Sequence, residues 1–294
     1  MKTRVIRNEY IYSIITKIVI VAFGLLYQAI LARYLGAELK GNVAYISSIT
    51  AVASIISTLG LNQLYPSYRK SSKDPTNAKN QFMSIVIFLF GICVCIAVFF
   101  FVIMNERNRD LAVAILITPI FGYSSISGMV CLVENPNKRN GMLSIISIIE
   151  VIYVMILFLF TKRNYYWAVT AIVFSEIIKS FYFTYAQKIT ASKKYLNMKL
   201  IRKLFRQGIW LMIALLINNL NYKIDVLMLK GYQSVTLADI GVYSIGISIA
   251  EKAMLIPDAV KEILLSRLSK GADENEVCRT MRLCFPISVL TGFL

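Results

Sequence analysis

The sequence predicts an all-α fold, a polytopic bundle of transmembrane helices, and three observations carry that prediction. Of the 294 residues, 57% are hydrophobic and only 16% are charged, whereas about a quarter of a soluble domain is charged. The apolar residues fall in separate runs of bilayer length. The basic residues fall mostly in every second connection between those runs.

A helix crosses the hydrocarbon core with about 20 apolar residues at about 1.5 Å rise each. Eight runs meet that length: 10–32, 43–64, 82–104, 111–133, 142–160, 167–187, 208–229 and 240–265. A ninth starts near Leu283 and reaches Leu294 after twelve residues, too few for a relaxed bilayer. Residues 1–7 are short and basic. The first run is too long for a signal-peptide core and no small-residue cleavage site follows it, so it reads as a retained helix. Pro66, Pro75 and Pro136 fall in loops or at helix ends. Pro119 and Pro257 fall inside runs four and eight, where each should kink the helix or break a backbone hydrogen bond.

Of the 32 Lys and Arg residues, 21 lie at the N-terminus and in alternate connections, and seven lie in the opposite connections. The other four (Lys17, Lys179, Lys223 and Lys252) are inside runs. This bias places the N-terminus in the cytoplasm and the chain in the cytoplasmic membrane. The net charge of +16 then reads as topology determinants facing anionic membrane lipids, not as a nucleic-acid site. The connection 188–207 carries seven positive charges and no acidic residue. Its apolar residues include Leu196, Leu200, Ile201, Leu204 and Phe205, and from Asn197 onward they recur at helical spacing, as in an amphipathic helix on the inner membrane surface. The alternative is a docking site for a cytoplasmic partner.

There are five cysteines and no histidine. Cys93, Cys95, Cys131, Cys278 and Cys284 include no pair at metal-ligand spacing. No metal and no cofactor is expected.

Run one ends in ILARYLG (30–36), then AELKG and NVAY. Run seven ends in DVLMLK (225–230), then a polar turn and DIGVY (239–243). Gly41 and Gly241 stand 200 positions apart, with six helices between the starts of the two copies. The echo points to two six-helix halves.

The stretch 30–45 (ILARYLGAELKGNVAY) is also similar to the first-to-second helix junction of polysaccharide flippases in the multidrug/oligosaccharidyl-lipid/polysaccharide exporter superfamily. The stretch 221–243, with NYKIDVLML and then ADIGVYS running on to Ser244, resembles their seventh-to-eighth junction, as does the sequel through Glu251, Lys252 and Pro257. The resemblance implies about 12 to 14 helices in two pseudo-symmetric lobes around a central cavity. It implies alternating access, with an undecaprenyl-diphosphate-linked oligosaccharide moved between leaflets for O-antigen, capsule or exopolysaccharide. Polysaccharide polymerase and assembly proteins are then expected partners. On this reading 1–187 is a six-helix lobe, 188–207 a basic connection and 208–294 an incomplete second lobe. The chain stops within its ninth helix, which points to a fragment or truncation.

A charge in the bilayer core costs at least about 2.5–3.5 kcal/mol, so a retained one needs a reason. Lys17 and Lys252 are candidate diphosphate ligands. Asn62, Gln63, Asn218 and Asn219 are candidates for sugar or diphosphate oxygens. Glu150, Glu176, Asp225 and Glu251 are candidates for proton or sodium coupling. Against these stand plainer readings: Lys17 snorkelling to the interface, and Glu176 neutralised by Lys179 three residues on. A drug/cation antiporter of the same superfamily is the competing transport function. A membrane polymerase or glycosyltransferase is the competing enzyme, and the short external connections leave it little room for an active site.

Overall fold

The computed structural model describes residues 2–160, 163–232, 234–251 and 255–271. Lys252, Cys278, Cys284 and the run from Leu283 lie outside the described residues. Every regular element described is helical: α1 (Lys2–Thr58), α2 (Leu61–Ser71), α3 (Pro75–Met104), α4 (Arg109–Glu134), α5 (Pro136–Phe160) and α6 (Tyr165–Ala186), then a 3-10 turn (Lys193–Tyr195), α7 (Met198–Leu229), α8 (Leu237–Ala250) and α9 (Leu255–Ser269). Among the described residues, four helical stretches are long and apolar enough to cross a membrane: Ile11–Ser71, Pro75–Met104, Arg109–Glu134 and Pro136–Phe160.

The first of these runs through α1 and α2, and α1 is itself two helices in one. Gly36 has φ 76° and ψ 173°, a conformation open to glycine and costly for residues with a β-carbon. The chain reverses there within a single residue. Lys40 Nζ donates to Gln28 Oε1, and Tyr27, Leu31, Leu35 and Val43 share one core. In an unbroken helix, twelve residues would separate such partners by about 18 Å.

The polar turns serve as caps. Asp74 accepts from the backbone N–H groups of Thr76 and Asn77, with Pro75 as the first helical residue of α3. Asn108, Asn164 and Asn197 start α4, α6 and α7 in the same way. Each satisfies donors that a helix start leaves open. Thr236 and Asp239 form a reciprocal capping box on α8. Those hydrogen bonds hold the exposed Asp239 carboxyl below its usual range.

Three expectations change in detail. Pro66 is buried inside α2, not in a loop. Run eight is two helices: α8 ends at Ala250 and α9 begins at Leu255. Pro257 falls in the first turn of α9, where a missing N–H is no loss. The basic connection and run seven form one continuous helix from residue 198. Leu196, Leu200, Ile201 and Leu204 pack against Leu61, Tyr65, Phe82 and Val130, while Arg202, Lys203 and Arg206 are exposed.

Contacts gather the connections into two sets. At one end Lys17 and Arg139 meet Glu262, Arg69 meets Glu134, Lys270 Nζ donates to the Glu134 carbonyl and Lys79 Nζ to that of Gln187. This is the basic end. At the other end Tyr165 and Tyr166 donate to Asp110, Lys230 lies over the Tyr45 ring and Arg163 over that of Tyr34.

Candidate transport cavity

A cavity of about 440 Å³ lies between the two arms of α1, α5, α6, α7 and α8. Its α8 face is Ser244, Ile247, Ser248 and Glu251, and its α1 face includes Ala44, Ser47, Ser48 and Ala51. Both sets follow the i, i+3, i+4, i+7 spacing of one helical face. Each α8 position stands 200 residues after its α1 counterpart. The echo noted at Gly41 and Gly241 therefore continues down the cavity wall.

Those two glycines form the roof. A β-carbon on Gly41 would overlap the Leu237 carbonyl, and one on Gly241 would overlap the Ala37 carbonyl. Ala37 and Leu237 are also 200 apart, so the two contacts are mirror versions of each other. No side chain fits between these backbones, which is the reason glycine stands at both positions.

The floor is electrostatic. Lys17 lies one helical turn from the cavity-lining Ile20 and pairs with Glu262 at 2.7 Å. Arg139 Nη1 lies 3.0 Å from the same carboxylate oxygen. Around them Asn140 donates to Ser13 Oγ and Ser144 to the Thr16 carbonyl. Glu262 Oε2 is buried with no hydrogen-bond partner among the described residues.

The sequence candidates distribute unevenly over this site. Glu150 and Glu251 both line the cavity. Lys17 joins the floor, not the cavity wall. Glu176 pairs with Lys179, as their spacing allows. Asp225 is exposed and accepts from Tyr243 Oη at 2.8 Å. Asn62 donates to Ser125 Oγ, Gln63 and Asn218 are exposed, and Asn219 is half-buried; none of the four lines the cavity.

Sequence reasoning missed Lys40, Gln28 and Tyr27. Lys40 counts as a loop lysine in the charge tally, yet it is 4% exposed and faces Gln28 in the cavity. The reason is the one-residue turn at Gly36, which puts position 40 inside a helix. Tyr27 also lines the cavity, and its Oη is buried without a hydrogen-bond partner among the described residues. Such a group usually finds a protein or water partner. Glu262 was missed as well; it belongs to the same apolar-run stretch as Glu251 and could have been singled out by its charge alone.

Nearer the surface, burial and the hydrogen bond to Asp110 raise the Tyr165 hydroxyl well above its usual range. Burial lowers the Lys230 ammonium, with Asp110 opposing. These groups brace the end opposite the basic one.

No curated protein and no solved structure matches the chain. The family described as polysaccharide biosynthesis protein matches residues 6–257, well over half the chain and spanning both helix-junction blocks, and the chain belongs to that family.

Proposed function

We propose that the chain forms the pathway of a transporter that moves an undecaprenyl-diphosphate-linked oligosaccharide across the cytoplasmic membrane by alternating access. One observation carries this reading: a polar cavity walled by two helix faces related by a fixed 200-residue offset, with different closures above and below. Repeat-related helices flanking a mid-membrane site are the architecture of alternating access. The cavity volume of about 440 Å³ suits a small polar group such as part of a glycan.

In this reading the six-helix segment 1–187 and the segment from 208 are two lobes, with the N-terminus and the basic end in the cytoplasm. Tyr27, Gln28 and the cavity serines meet sugar hydroxyls. Lys17 and Arg139 at the floor, with Lys252, attract the diphosphate as it enters from the inner leaflet. Glu150 and Glu251 exchange a proton or sodium ion. Asn62, Gln63, Asn218 and Asn219 meet cargo only after the helices move. Assembly and polymerase proteins receive the product, for O-antigen, capsule or another surface glycan.

The second reading is a drug/cation antiporter of the same superfamily. It is favoured by one fact: among the described residues, two carboxylates and one lysine line the cavity. Expression in a strain lacking its polysaccharide flippase separates the two. Restored surface polysaccharide, lost again in Glu150→Gln and Tyr27→Phe, supports the sugar reading. Drug resistance without polysaccharide supports the antiporter.

A further inference from the structure

A second and larger hollow opens away from the central cavity. α3 and α6 both pack along α4 but make little contact with each other. The gap between them is a groove of about 830 Å³ with α4 as its floor. Its walls are hydrocarbon and aromatic: Ile87 and Phe90 on α3, Ile120 and Tyr123 on α4, Ile177 and Phe181 on α6. A convex lipid-facing helix surface would leave no such volume.

The groove is polar at one end only. Lys138 and Lys188 line it there, and among the described residues no acidic one lines it. Both lysines are exposed. Ser180 and Thr184 add hydroxyls on the α6 wall, with Tyr123 Oη and Thr184 Oγ1 2.8 Å apart. The charge therefore sits at the basic end, and the apolar part runs toward the bilayer centre.

That end is bordered by the chain itself. After α6 the backbone crosses the start of α3 and is tied to it three times. Lys79 Nζ donates to the Gln187 carbonyl at 2.6 Å, Thr190 N to Asn80 Oδ1 and Ser192 N to Ser84 Oγ, both at 3.3 Å. Within this crossing Lys188 has φ 47°, the left-handed region in which glycine normally ends a helix. A lysine held there costs about 1 kcal/mol of backbone strain. The return for that cost is a cation fixed at the mouth of the groove.

The depth matches one leaflet. From Ile177 to Ala186 is nine residues, about 14 Å along a helix, and half the hydrocarbon core is about 15 Å. Tyr185, 82% exposed, stands at the rim, where amphipathic aromatics meet the headgroup region.

We propose that this groove holds one acyl chain of an anionic glycerophospholipid, with its phosphate between Lys138 and Lys188. The site is separate from the cavity and does not depend on which cargo the protein carries. A lipid wedged between α3 and α6 would set their spacing on α4.

The test is native mass spectrometry of the full chain in detergent, titrated with dioleoylphosphatidylglycerol or dioleoylphosphatidylcholine. The wild type should retain the anionic lipid in preference to the zwitterionic one. Each lysine should contribute about fivefold. Lys188→Gly removes the charge while keeping the backbone conformation, and Lys138→Gln gives an independent reading should that variant fold poorly. Lys70→Gln, an exposed charge outside the groove, should leave the preference unchanged. Ser180→Trp fills the groove and should lower retention of both lipids. Equal retention of the two lipids by the wild type, or an unaltered preference in both lysine variants, would overturn the proposal. So would competition by inorganic phosphate alone, which would mark a simple anion site.

Discussion

At the crossing of Gly41 and Gly241 two helix backbones touch with nothing between them, whereas at the basic end Glu262 stands between two cations, Lys17 and Arg139. Both contacts join the first 187 residues to the helices after 207. They differ in what they tolerate. The glycine crossing is steric: any added atom must push whole helices apart. The ion cluster is electrostatic: its members can be exchanged, screened or hydrated without moving a backbone. One closure is thus all-or-none and the other graded, and the cavity lies between them.

The largest effect is expected from Gly41→Leu or Gly241→Leu. Each drives a side chain into the partner carbonyl. Overpacking of this kind costs about 1–3 kcal/mol or more, so thermal unfolding in detergent should occur several degrees lower and transport should fall at least tenfold. Gly246, with nothing within 4 Å of an added β-carbon, is the control: Gly246→Ala should be neutral. Equal effects at the two positions would erase the steric half of the comparison.

Glu262→Gln should come next. It leaves Lys17 and Arg139 facing each other across a neutral amide, with an expected loss of about 1–3 kcal/mol. Adding Lys17→Met should recover part of it, because the second change removes the repulsion. A double-mutant cycle on unfolding temperature measures the coupling, and strictly additive losses would mean the pair does not interact.

Tyr243→Phe removes a single hydrogen bond to the exposed Asp225. A change within about 0.5 kcal/mol is expected.

The smallest effect concerns pH. The Thr236 hydrogen bonds lower the folded pKa of Asp239 below its unfolded value. Its contribution is therefore present above about pH 4 and is lost as pH falls through the folded value. Asp239→Asn should flatten the acid limb of the stability curve slightly, read by thermal unfolding at stepped pH.

Much of the fold was legible because membrane helices announce themselves by length and their turns by composition. Asn108, Asn164 and Asn197 cap helices where the polar connections end. The echo around Gly41 and Gly241 led to the crossing and, extended by the same offset, reaches the cavity wall. The pairing of Lys17 with Glu262 was not legible. Those residues are 245 positions apart, and nothing local states which helices pack together. Lys40 was misread because a turn of one residue leaves no loop to recognise. The groove between α3 and α6 was hidden for another reason: helices that are apolar on all sides carry no amphipathic stripe to say which face is covered. Asn62, Asn218 and Asn219 were chosen by chemistry alone, and only packing could show that they do not line this cavity.

In the proposed function, cargo passes through the cavity when the glycine crossing opens. This is tested most directly by replacing Tyr45 and Lys230, which meet beside that crossing, with cysteines in a background where the five native cysteines are serine. The two are joined by a short cleavable bis-maleimide, and translocation of a fluorescent lipid-linked oligosaccharide is followed in proteoliposomes. Transport by the unlinked protein, its loss on linking and its return on cleavage are expected. Transport that continues unchanged while the link is intact would contradict it.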